Sequence, residues 1–259
     1  MSFSWSFSKL QAIETCPKQY NERKNYPEGD RTALDWGDEI HKAFAKSLLN
    51  DGAPLPATMT PWQHWISDFI ALPGQIIVES KWALDRQFNK CPWSAPVAWF
   101  RGKADATRID GPVADGVDWK SGKIKEDETQ LLLMAQSVFA HFPEVKRCRQ
   151  RFVWLQHDCA TERVYNRRDM ADQWLGLLQR VQTIEEMEKE HNFPCAMLDA
   201  VMLIRFRHTA LHLVVMNIPP KPMRPNRSHS GRGRRREGRS WASETLVHAA
   251  RCIAGRGAR

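Results

Sequence analysis

RGKADATRIDGPVADGVDWKSG, residues 101–122, reads as two strands folded back on one another. Asp110-Gly111-Pro112 has turn chemistry: a short acid, a residue free to take positive φ, and a ring that fixes its own φ. The pattern predicts one strand from Val97 to about Thr107 and the next from Val113 to Lys120. Side chains alternate along a strand, so Asp118 and Lys120 share one face, about 7 Å apart. Trp119 then points the other way, into the core.

Upstream, Ile76, Val78, Trp82 and Leu84 mark one face of an earlier strand, with Glu79 and Lys81 on the other. Before it come helices. Ser8 followed by Gln11 matches a capping box, with Leu10 and Ile13 facing inward, and Pro17 restarts a short helix through Tyr20. Trp36, Ile40, Phe44 and Leu48 recur every four residues in a helix from about Asp35 to Asn50. Thr60-Pro61 opens another helix, with Trp62, Trp65, Ile66 and Phe69 on its apolar face. Downstream, a helix from Asp127 to Ala140 leads to a strand from Arg147 to Leu155 and a shorter one near Arg163–Tyr165. A long helix to about Glu190 carries Trp174, Leu177, Leu178, Val181 and Ile184 as its buried stripe. The order predicts an α/β fold: a central mixed sheet flanked by helices, with a hairpin feeding a crossover helix.

Carboxylates on adjacent strands with a lysine on the same face suit one chemistry. Breaking a phosphodiester requires offsetting the phosphate charge, activating a water and stabilising the leaving oxygen. Hard divalent cations held by carboxylates can do most of this. Asp105 and Asp118 are the candidate acids, and Lys120 the candidate for water and phosphate. Glu79 can add a carboxylate from the preceding strand. His41 follows the apolar stripe of its helix by one position and can supply a nitrogen. Singly each has a blander reading: a surface ion pair, a turn cap, a solvated strand face or a half-buried histidine. The ordered combination carries the argument.

At these residues the chain resembles the PD-(D/E)xK nuclease superfamily, in its RecB-like branch of phage exonucleases and CRISPR-associated adaptation nucleases. Ser6 through Leu10 leading to Cys16-Pro17 and Tyr20 is similar to that branch's N-terminal signature, and Gly37 with His41 to its helix motif. Gly102 with Asp105, and Asp118-Trp119-Lys120-Ser121-Gly122, resemble its two catalytic motifs. Gln130-Leu131 resembles the glutamine that opens the next helix. The resemblance implies a restriction-endonuclease-like core and a Mg²⁺- or Mn²⁺-dependent nuclease. His41, Asp105, Asp118 and the Trp119 carbonyl would be metal ligands, with Gln130 contacting the site. It implies DNA, single-stranded or at duplex ends, as substrate, and work in recombination, repair or phage replication beside a partner protein. Met134 stands where branch members usually have Tyr. Many relatives hold a [4Fe–4S] cluster through four cysteines, and Cys16 and Cys195 match the first and second. Only Cys252 follows, so no cluster is expected. The rival readings are a scaffold that keeps the fold without activity, and an RNA-binding protein acting through its tail.

Residues 1–195 are expected to form the nuclease domain and 196–259 a disordered basic tail. The net charge of +8 comes from that tail, which has 13 Lys+Arg against 3 Asp+Glu; the body has 25 against 27. Twelve of the thirteen are Arg, and Pro219, Pro220, Pro222 and Pro225 interrupt regular structure. The change of character just after Cys195 is what a frameshifted terminus produces; a native nucleic-acid-binding tail is the alternative. No apolar run of 18 residues, no secretory start and six scattered cysteines lead to the expectation of a cytoplasmic protein that does not enter a membrane.

Overall fold

The computed structural model describes residues 3–25 and 31–195. Helices α1 (Phe7–Thr15), α2 (Pro17–Glu22), α3 (Thr32–Leu49) and α4 (Gln63–Ile70) precede strands β1 (Gln75–Leu84), β2 (Lys90–Cys91), β3 (Phe100–Asp110) and β4 (Val113–Lys120). Helix α5 (Thr129–His141) crosses to β5 (Arg147–Trp154). Then come β6 (Cys159–Asn166), α6 (Met170–Gln173) and α7 (Leu175–Glu190). The sheet runs β2-β1-β3-β4-β5-β6, antiparallel except for the parallel pair β4–β5 that the α5 crossover permits. This is the expected central mixed sheet flanked by helices.

One face of the sheet is covered by α3 and α4. Ile40, Phe44, Leu48, Trp65, Ile66 and Phe69 close over Ala106, Val117, Trp119 and Val153. Trp119 meets Phe44 edge-on, with ring centroids 4.9 Å apart. Helix α5 packs against β1, β4 and β5 from the other side and buries Leu131, Leu133, Met134 and Val138. The β3–β4 turn falls at Asp110–Val113 as read, with Gly111 at φ +53°, a conformation costly for side chains with a Cβ.

Several local expectations need correction. The cap of α1 is Ser6, whose hydroxyl accepts from the Lys9 amide at 3.2 Å, while Ser8 lies exposed within the helix. Ser6 is extended (φ −141°), the conformation that turns a hydroxyl onto the first free amides. The final strand is eight residues, because it pairs with β5 along its whole length, and the two-residue β2 had no periodicity to reveal it. Strand β1 does not keep one apolar face. Ile76 and Val78 pack against the α3–α4 cluster, whereas Trp82 stacks on His141 and beside Phe142 at the end of α5. Glu79 lies between them at φ +51°, where the strand turns over.

Candidate active site

The ladder between β3 and β4 ends at Ala106–Val117, and the two strands then part. Into the opening beside β3 comes the N-terminal segment. The Trp5 amide donates to the Trp99 carbonyl at 2.9 Å, and the Arg101 amide to the Trp5 carbonyl at 2.9 Å. On the β4 side, a carboxylate replaces the missing backbone partner: the Trp119 amide donates to Asp105 Oδ2 at 2.8 Å. The fork puts Asp105 within reach of side chains from α3 and β1.

From α3, His41 Nδ1 lies 3.1 Å from that same Asp105 oxygen. From β1, Glu79 lies opposite Asp105, at the one position the β1–β3 ladder skips between Val78–Ala106 and Ser80–Ala104. Ligand atoms of His41, Glu79 and Asp105 all fall within 4.8 Å of one another. Burial alone would lower the pKa of His41, but the hydrogen bond and charge of Asp105, with Asp118 and Glu79, raise it instead. Burial, then the charge of Asp105, raises Glu79 as well.

Asp118 and Lys120 emerge on the α5 side, as alternation requires. Lys120 Nζ lies 2.6 Å from Asp118 Oδ2 and donates to Gln130 Oε1 at 2.9 Å. Gln130 Nε2 donates in turn to Asp118 Oδ1 at 2.7 Å, closing a triangle. Asp118 is 5% exposed, and burial pushes its carboxyl up to about 6, with Lys120 opposing and Asp105 adding to the rise. The ammonium also stands 5.0 Å over the ring of Phe152.

All the sequence-derived candidates therefore converge except the cysteines. Glu79 belongs with His41 and Asp105, and Gln130 with Asp118 and Lys120, while the Trp119 side chain is in the core as expected. The Cys16 sulfur accepts from the Gln19 amide at 3.5 Å and caps α2. Cys195 is the last described residue, and Cys252 and the whole expected tail lie outside the described residues. One nitrogen and two carboxylates within a few ångströms could hold a divalent cation.

His41, Asp105, Asp118, Trp119, Lys120 and Gln130 line a cleft of about 930 Å³. Its wall also includes Lys103, Lys123, Lys125 and Trp93, which the strand and helix patterns did not single out. Lys123 and Lys125 could have been noticed for flanking an exposed Ile124 directly after the Lys120 motif. Among the described residues no helix is long and apolar enough to cross a membrane.

No protein-family model matches the chain, and no curated protein matches it. Among solved structures it is similar to one from Eubacterium rectale described as a "Putative exonuclease", at 14% identity and TM-score 0.46. That match covers 85% of this chain and 91% of the other. At such a distance the functional reading rests on the geometry of the site.

Proposed function

We propose that the chain is a divalent-metal-dependent nuclease that hydrolyses DNA phosphodiesters, of the RecB-like type that its motifs resemble. One observation carries the reading. A His41–Glu79–Asp105 group with metal-ligand spacing adjoins an Asp118–Lys120–Gln130 triangle, and all of these except Glu79 line one cleft. His41, Asp105, Asp118 and the Trp119 carbonyl are the ligand set the resemblance implies, and Glu79 is a further carboxylate the geometry adds. An ion there supplies positive charge to the attacked phosphate and makes a water easier to deprotonate.

The chain's own groups do the rest. Asp105, fixed by the Trp119 amide, holds its carboxylate at the fork without side-chain search. Lys120 brings a positive charge to the phosphate as negative charge builds in the transition state. Gln130 keeps Lys120 and Asp118 in register, and the exposed Lys103, Lys123 and Lys125 attract the polyanion. Exonucleolytic action in recombination, repair or phage replication is the context we favour.

The test is incubation of purified protein with end-labelled single- and double-stranded DNA in Mg²⁺, Mn²⁺ or EDTA. Cleavage should need the metal, and Asp105→Ala or Asp118→Ala should lower it at least about a hundredfold while the fold persists. Wild-type rates in both variants would remove the site from the chemistry.

A further inference from the structure

The tryptophans of the described residues are buried or half-buried with a single exception. Trp93 is 37% exposed and lines the wall of the catalytic cleft. It lies on the loop between β2 and β3, a place where an apolar ring gains nothing by exposure unless something covers it. The loop is not slack. Two successive turns shape it, with the Ala95 amide donating to the Pro92 carbonyl and the Ala98 amide to the Ala95 carbonyl, each at 3.0 Å.

A single guanidinium then fastens both turns. Arg101 Nε donates to the Trp93 carbonyl at 2.8 Å, and its terminal nitrogens donate to Ala98 O at 3.2 Å, Ala95 O at 3.3 Å and Ser4 Oγ. Arg101 is on the cleft wall but spends four of its five donors on the loop and Ser4, which leaves most phosphate contacts to Lys103, Lys123 and Lys125. It lies four positions before Asp105 on β3, about 13 Å along the strand. An aromatic side chain on a hydrogen-bonded loop, several lysines and the Asp105 and Asp118 carboxylates thus line one cleft.

We propose that Trp93 is a stacking platform for a base of single-stranded nucleic acid, seated in the same cleft as Asp105, Asp118 and Lys120. The inference rests on the nuclease reading and names the form of its substrate. A base offers its flat face to a side chain only when it has left the duplex stack, so a ring at this position selects single strands or frayed ends. Stacking is blind to sequence, because every base has a π-face. Charge complementarity decides the occupant: an apolar ring among lysines suits a polyanion carrying aromatic groups.

The experiment uses the full chain and its Trp93→Ala and Trp93→Phe variants. Binding to a labelled single-stranded oligonucleotide is measured in EDTA. Cleavage of an oligomer of abasic tetrahydrofuran residues, a phosphodiester with no aromatic group, is measured in Mn²⁺. Trp93→Ala should weaken strand binding about 5- to 150-fold, the loss of one base stacked on an aromatic ring. Trp93→Phe should recover most of that, and both variants should hydrolyse the baseless ester at the wild-type rate. An abasic position at the matching nucleotide should weaken wild-type binding and leave Trp93→Ala indifferent. Equal affinity of wild type and Trp93→Ala overturns the proposal, as does failure of the wild type to bind single strands. Loss of stacking in a protein that cleaves nothing would sustain Trp93 as a platform while refuting the nuclease.

Discussion

Asp115 and Asp118 lie three residues apart on β4, both about 95% hidden from solvent, and their acidities are driven in opposite directions. Burial raises both. At Asp115 the opposition of Arg151, Arg149 and Arg108 wins and holds the carboxyl below its usual range. At Asp118, Lys120 and His41 do not win against burial and Asp105, and the carboxyl reaches about 6. The sign for stability follows. Between the unfolded value near 4 and about 6 the folded chain binds more protons than the unfolded one, so this group lowers stability as pH rises. A shift of that size amounts to the order of 3 kcal/mol. In EDTA, Asp118→Asn should therefore gain stability relative to wild type between pH 4 and pH 7, whatever the offset from its lost ion pair. Urea midpoints at the two pH values read it, and a constant difference would mean that the site does not raise Asp118.

Strand β1 holds the element-scale feature the site depends on. By turning over at Glu79, it sends Val78 into the core and still delivers a carboxylate beside Asp105. A left-handed φ on a residue with a Cβ costs about 1–2 kcal/mol. Glu79→Gly should stay within about 1 kcal/mol of wild type in thermal stability, because lost strain offsets added chain entropy. Glu79→Val, β-branched at the same φ, should fall below both, and scanning calorimetry in EDTA orders the three; equal destabilisation by Gly and Val would argue against strain. Little of this was legible beforehand. Period two in Ile76, Val78, Trp82 and Leu84 shows a strand but is blind to a single residue that inverts its parity. The β3–β4 hairpin was legible because a two-residue turn and alternating side chains are local. The fork was not, since it depends on Trp5 filling the space beside β3 from almost a hundred residues away. The position of Gln130 came from motif resemblance, and its bonds to Asp118 and Lys120 from packing that no local pattern encodes.

For the molecule as a whole, the site is a set of charges whose balance a cation completes. Mn²⁺ should raise the melting temperature of the full chain, with about 2.7 kcal/mol gained at a hundred times the dissociation constant. Lys120→Ala should keep that rise while losing turnover, and His41→Ala should shrink it while keeping partial activity. Equal loss of both properties in Lys120→Ala would recast Lys120 as a structural ion-pair partner. The hairpin has a further consequence, in the order of assembly. Asp105 and the Trp119 amide are only 14 positions apart, so their loop is cheap to close. His41 and Gln130 come from helices on opposite sides of the sheet, and the parallel β4–β5 contact must wait for the α5 crossover. On the folding path, two mutually repelling carboxylates thus meet with only Lys120 of their own hairpin to temper them, before glutamine or imidazole arrives. A cation present during refolding would act on the early hairpin and so on the rate at which the chain folds.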